Sequence, residues 1–434
     1  MNDMKVLAAE SPAPPDSRPA SPDFRKLYAL LLTCGFVLRF GFVLWKKTYV
    51  GDQHSNNPFG VEICSIAAHI ARGQGFSSPF LIDTGPTAWI TPVYPYFVAL
   101  VFRLFGLYTA ASAIVILGIQ CILAAYTGIL IHALGRRTFG ERVGFFAAWI
   151  WALFPIFFRW TVSWIWDFTA SAFFVTAAFV LALDIAEKNQ RKHWLLLGAL
   201  WALAALTNPA LLTLLPFTFL YPIFKNYRAY RPWFASCALS AALFAALVSP
   251  WLIRNALVFH RFVLFRDNFW FEFHLGNYHA SNGLGFAGRH PSANPAELQK
   301  YAEWGEMAYI DYWKQDALRF VRENPSEFRD LTLRRAWWFW DGTSIIYQAH
   351  EWWRPWKFWP LSALGWLGLL FALTRRPRGW LLYAAALLVY PLPYYFVYPV
   401  AKYRHAIEPV LLLLSAYLVS VAWRELRLLH RKPS

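Results

Sequence analysis

The sequence predicts an all-α, polytopic integral membrane protein with about ten transmembrane helices, in-plane helices and a helical cap on its outer face. Three observations predict it. Hydrophobic residues make up 58% of the 434-residue chain and charged ones 15%, a balance that fits no soluble globular class. Ten apolar stretches run along it, near 27–45, 112–134, 143–158, 168–186, 194–207, 209–224, 233–251, 357–373, 380–397 and 407–423. A bilayer core about 30 Å thick asks for roughly 20 apolar residues per helix. The loops between the stretches alternate between basic and charge-poor. Lys and Arg gather in 1–26, 135–142, 187–193, 225–231, 374–379 and 424–432, whereas 159–167, the surroundings of Asn208 and 398–406 carry few. Basic loops stay cytoplasmic, so both termini are placed inside and two long loops, 46–111 and 252–356, outside.

In chain order this gives a disordered cytoplasmic tail (1–26), rich in Pro, Ala and Ser, with no cleaved signal peptide expected. An N-terminal transmembrane module (27–251) follows and includes the first outer loop. An outer helical region (252–356), the C-terminal transmembrane helices (357–423) and a second cytoplasmic tail (424–434) complete it. The formal charge of +16 follows from the topology, since about half of the 41 Lys and Arg fall in the cytoplasmic segments. There they face anionic lipid head groups, and no nucleic-acid partner is expected. The four cysteines, Cys34, Cys64, Cys121 and Cys237, form no CxxC pair and suggest neither a disulfide framework nor a thiolate metal site.

The first outer loop opens with the polar run Gly51-Asp52-Gln53-His54-Ser55-Asn56-Asn57-Pro58. An amphipathic helix follows at about 60–73. Glu62, Ser65, His69 and Arg72 share its polar face, and Ile63, Ile66, Ala67 and Ile70 form an opposite stripe read as lipid-facing. The polar face admits two readings, a functional acid held at the membrane surface or the wet side of an interfacial helix. Residues 93–106 read as an interfacial or re-entrant helix on the outer side. Were they a span, 107–134 would need two further crossings to bring Arg136 and Arg137 back inside. In the second outer loop, Asn294-Pro295 signals a helix start with Asn as N-cap, and Asn324-Pro325 another. The second helix ends in Trp337-Trp338-Phe339-Trp340, a run suited to an aromatic girdle. About 100 residues are marginal for an independent domain, so the loop is expected to pack on the spans.

Ionisable groups near a membrane are functional candidates. Asp52, Glu62, Asp167, Arg254, Asp267, His274, Lys402, Arg404 and His405 all map to the outer boundary. Mid-span charges are scarce: Arg39 is read as snorkelling, and Asp184 lies near a cytoplasmic end. A coupled transporter would keep acids at the midplane. Carboxylates opposite cations at the lipid boundary suit chemistry on a lipid-linked phosphate instead.

Several short motifs carry a family resemblance. Glu62-Ile63-Cys64-Ser65-Ile66-Ala67 with Gly73-Gln74-Gly75-Phe76-Ser77, Gly85-Pro86-Thr87-Ala88-Trp89 to Pro92-Val93-Tyr94-Pro95 with Leu104-Phe105-Gly106, Pro250-Trp251 with Arg254-Asn255, and Lys402-Tyr403-Arg404-His405 with Glu408-Pro409 occur in the expected order. Together they resemble bacterial members of the GT-C glycosyltransferase superfamily, in the branch of protein O-mannosyltransferases and lipid A aminoarabinose transferases. One departure stands out. Many relatives carry an Asp-Glu pair in the first outer loop, and here Phe59 and Gly60 precede a single Glu62.

The resemblance implies a GT-C-like fold in the bacterial inner membrane with its active site on the periplasmic side. It implies transfer of a sugar from a polyprenyl-phosphate donor to an acceptor, which is a protein, lipid or glycan. Substitution at the anomeric carbon needs an acid to orient or deprotonate the acceptor, a role for Glu62, or Asp52 as second choice. Cations stabilise the departing phosphate: Arg254, Arg404 and Lys402. Asp167 is read either as an acceptor-site acid, with His69 and His405 as further candidates there, or as a helix-start acid favoured by the dipole. No particular cofactor is implied beyond a divalent cation (Mg or Mn), for which Asp167 and the first-loop acid are candidates; no HxxH spacing supports a histidine metal site. Two other classes remain open: a lipid-linked sugar flippase or polysaccharide polymerase, and a non-catalytic scaffold binding lipids or subunits.

Overall fold

The computed structural model describes residues 24–50, 58–227, 233–285, 287–343 and 355–429. Eighteen α-helices occur among them in chain order. They are α1 (Arg25–Lys46), α2 (Val61–Ala71), α3 (Val93–Phe105), α4 (Ala110–Thr138), α5 (Glu141–Leu153), α6 (Arg159–Ser163), α7 (Phe168–Lys188), α8 (Arg191–Ala205) and α9 (Leu215–Asn226). The rest are α10 (Trp233–Phe259), α11 (Phe269–Gly276), α12 (Pro295–Trp304), α13 (Glu306–Glu323), α14 (Pro325–Asp341), α15 (Pro355–Arg375), α16 (Trp380–Leu388), α17 (Leu392–Phe396) and α18 (Glu408–Leu429). Among the described residues β-structure is limited to two isolated bridges.

Every one of the ten apolar stretches is helical, but only six of these helices are long and apolar enough to cross a membrane. These are α1, α4, α7, α10, α15 and the run Ala401–Arg427 that contains α18. The other four stretches fall on α5, α8, α9 and α16, which are 13, 15, 12 and 9 residues long. Proline explains much of the shortening. Pro155 follows the end of α5, Pro209 opens a 3-10 turn ahead of α9, and Pro391 follows α16. Proline supplies no N–H and biases the preceding residue away from helix. The bundle is built by α1 and α5 on α4, α4 on α7, α7 on α8 and α9, α8 on α10, and α15 on α18.

Two details correct the sequence reading. The apolar stripe of α2 does not face lipid: Ile63, Ile66 and Ala67 are at most 1% exposed, packed in a core shared with α3, α4 and α10. Amphipathic spacing marks an apolar face without saying whether protein or lipid covers it. Arg39 does not snorkel either. It is fully buried and donates to the carbonyls of Gly35, Trp151 and Ala152, capping the open end of α5.

The second outer loop packs on the bundle. Asn294 caps α12 through the amides of Ala296 and Glu297, and Gly305, at φ 75°, breaks the expected single helix into α12 and α13. The aromatic end of α14 splits its duties: Trp337 is half exposed, whereas Phe339 is buried and Trp340 donates to the Tyr395 hydroxyl at 2.8 Å. Arg335 is a buried strut from α14 to the carbonyls of Gly276, Gly283 and Phe396.

Candidate functional site

A cleft opens where the start of α7 meets the two outer loops, with about 770 Å³ of space, part of it open to solvent. Its acids are Glu62, Asp167 and Glu272, its cations Arg266 and Lys402. Trp166, Phe168, Phe269, Tyr394 and Tyr403 supply aromatic walls, with Asn208 and Asn268 between them.

Each acid is positioned by local structure. Glu62 sits in the first turn of α2, and a backbone bond from Ile165 to Pro58 fixes that turn against the 159–167 loop. Gly60 makes this approach possible, because a Cβ there would lie 2.4 Å from the Trp166 ring. Gly60 is therefore tied to a tryptophan on the facing loop. The His290 ring lies 3.5 Å from the Glu62 carboxylate. Asp167 immediately precedes α7 but makes no side-chain cap bond to it. It is 6% exposed, and its Oδ1 has no hydrogen-bond partner among the described residues. Burial raises its pKa to about 7, opposed by Arg266 and Lys402. Glu272 on α11 accepts from Asn268 Nδ2 at 3.2 Å and from the Tyr398 hydroxyl.

The cations are held differently. Lys402 lies over the rings of Trp164, Trp166 and Phe168, at 4.5, 5.2 and 5.3 Å from their centroids. Arg266 lies in the segment before α11 and makes no hydrogen bond or ion pair among the described residues. Its planar fork is thus free to take two anionic oxygens.

Of the expected site residues, Glu62, Asp167 and Lys402 come together here. Asp52 lies outside the described residues. Arg254, Arg404, His69 and His405 do not line the cleft. Arg254 donates to the carbonyls of Thr87 (2.7 Å) and Phe76 (2.9 Å), strapping the first outer loop to α10. Arg404 is 1% exposed, donates to Trp340 O at 3.1 Å and Ser362 Oγ at 2.7 Å, and lies 3.6 Å from Glu408. His405 pairs with Glu408 at 2.6 Å and stacks on Trp151. His69 is bonded to the Ser65 carbonyl one turn back. The tight 3-10 turn Ala401–Ile407 sends Lys402 and Tyr403 to the cleft and buries their two successors in the bundle. Arg266 and Glu272 escaped the sequence reading as site residues. The only signal was their place among the alternating aromatic and charged residues from 262 to 274.

Among the described residues no group of three or more His, Cys, Asp or Glu is placed to hold a metal ion.

The comparisons agree with this architecture. The family model described as dolichyl-phosphate-mannose-protein mannosyltransferase matches residues 88–253. The oligosaccharyltransferase AglB of Archaeoglobus fulgidus, solved with an inhibitory peptide and a dolichol-phosphate, superposes with a TM-score of 0.52 at 15% identity over 94% of this chain. The chain shares the fold of AglB. This chain spans 52% of AglB, about half its length. ArnT of Cupriavidus metallidurans, solved with undecaprenyl phosphate, gives a TM-score of 0.40 at 13% identity, over 91% of this chain and 77% of its own. No protein of curated function matches the sequence. The protein is integral to the membrane.

Proposed function

We propose that this protein is a glycosyltransferase that moves a sugar from a polyprenyl-phosphate donor to an acceptor at the outer face of the bacterial inner membrane. The observation that carries the reading is the pairing, in one aromatic-walled cleft, of Arg266 and ring-held Lys402 with Glu62 and Asp167. The family match and the dolichol-phosphate of the structurally similar AglB support a lipid-phosphate donor. Both termini are assigned to the cytoplasm from the basic loops.

In this reading the acceptor nucleophile bonds to the anomeric carbon as the carbon–oxygen bond to phosphate breaks. The bonding electrons leave with the phosphate, whose growing charge meets Arg266 and Lys402. The acceptor's proton passes to Glu62. Asp167, partly protonated near neutral pH, holds the acceptor or sugar by hydrogen bonds. Arg254 and Arg404 keep scaffold roles. The flippase alternative needs a polar path through the spans, and the buried Arg39 is already committed to three carbonyls.

The test is twofold. Purified protein should bind a polyprenyl phosphate, and Arg266→Ala should weaken it about tenfold to a hundredfold, the range of one or two lost charge-assisted bonds. Mass spectrometry of envelope glycans and lipids from cells with and without the protein should reveal the missing product. Unchanged binding by Arg266→Ala, or identical envelopes, would remove the proposal.

A further inference from the structure

We infer that the opposite end of the molecule carries a second, basic pocket that binds a phosphate anion, supplied by the head group of an anionic phospholipid. This pocket is lined by Tyr221 and Lys225 of α9, Arg376, Arg378 and Gly379 of the α15–α16 turn, and Trp380 at the start of α16, with Ala186 of α7 at its edge. Helix α7 relates it to the cleft. Phe168 lines the cleft and Ala186 the pocket, and at 1.5 Å per residue they are about 27 Å apart along the axis, close to one hydrocarbon thickness. The pocket therefore lies at the depth of the other leaflet's head groups.

Its chemistry is lopsided. Three cations face it, and the one acid alongside, Glu187, is already paired with Arg378 at 2.8 Å. Lys225 and Arg376 have no acidic partner among the described residues. Arg376 holds φ at 44°, the left-handed region where helix ends favour Gly or Asn. A side chain of this size there is strained, and the conformation sets its guanidinium 5.8 Å from the Trp380 ring centroid at the mouth of the pocket. Tyr221 accepts from the Gly379 amide at 3.1 Å, closing the floor. Cations beside a tryptophan and a tyrosine, at head-group depth, match a phosphodiester that stays attached to its lipid.

Native mass spectrometry and lipid titration of the full-length, delipidated protein test this. Wild type should retain one more phosphatidylglycerol than a Lys225→Gln/Arg376→Gln double variant. Its apparent affinity for phosphatidylglycerol nanodiscs over phosphatidylcholine ones should exceed the variant's at least tenfold. A control, Arg191→Gln/Lys192→Gln, removes the same charge from the same end and should behave as wild type. Equal losses in both variants would show only a diffuse basic surface and overturn the site. A second arm adds inorganic phosphate in detergent without lipid. Protection from thermal unfolding by phosphate, lost in the double variant and joined by no phosphatidylglycerol preference, would overturn the lipid source while keeping the anion site.

Discussion

Glu62 and Asp167 face the same cleft with different surroundings, and the difference sets what each can do. Glu62 is partly buried in the first turn of α2, beside His290; Asp167 is buried, with one oxygen unbonded among the described residues. Glu62→Gln keeps the shape and removes the basic oxygen, so turnover should fall about 10²–10⁴-fold while polyprenyl-phosphate binding persists. Wild-type turnover in this variant would move the base elsewhere, with Asp52 next in line. Asp167 gives a stability signature. Its folded pKa of about 7 stands above its ordinary 3.8, so the folded protein holds this proton more tightly than the unfolded chain. Stability from this group is full at about pH 4 and is lost as pH rises towards 7. Asp167→Asn should flatten that decline, read as the change in Tm between pH 5 and pH 8; an unaltered decline would show that Asp167 does not titrate there.

The elements that carry these residues were partly legible. The ten apolar stretches, the helix around Glu62 and the Asn294 cap all followed from periodicity and capping chemistry. What periodicity could not supply was the partner of each face. The stripe of α2 is equally consistent with lipid or protein, and its packing with α3, α4 and α10 decides it. The Lys402–His405 run reads as one cationic cluster, yet the chain turns so tightly that half of it becomes bundle core. Arg254 looked like a phosphate ligand because motifs do not reveal that two carbonyls 167 and 178 residues away claim its fork. Arg254→Ala should therefore lower stability by on the order of 2 kcal/mol through orphaned carbonyls, visible as a reduced Tm, with polyprenyl-phosphate affinity of the folded fraction unchanged. A selective loss of affinity at normal Tm would return it to the site. Arg266 was illegible for the converse reason: it makes no hydrogen bond or ion pair among the described residues, which no local pattern records.

At the scale of the whole molecule, the orientation rests on loop charge. Single cysteines placed in a cysteine-free background at Gln74 and Asn282, both exposed and on the cleft side, should react with an impermeant reagent from outside the cell. Those at Gln190 and Arg376, exposed at the other end, should react only after lysis. Labelling of Gln190 in intact cells would invert the arrangement.

The start of α7, where a membrane-crossing helix meets the cleft, has a consequence for kinetics. A donor whose phosphate reaches Arg266 from the head-group layer never has to leave the bilayer, so its encounters occur in two dimensions. The relevant concentration is then moles of donor per mole of lipid. Diluting the membrane with inert phospholipid at fixed bulk donor should slow turnover, whereas adding buffer volume should leave it unchanged. Saturation curves drawn against bulk concentration would shift with every change in lipid content, and curves drawn against surface fraction would coincide.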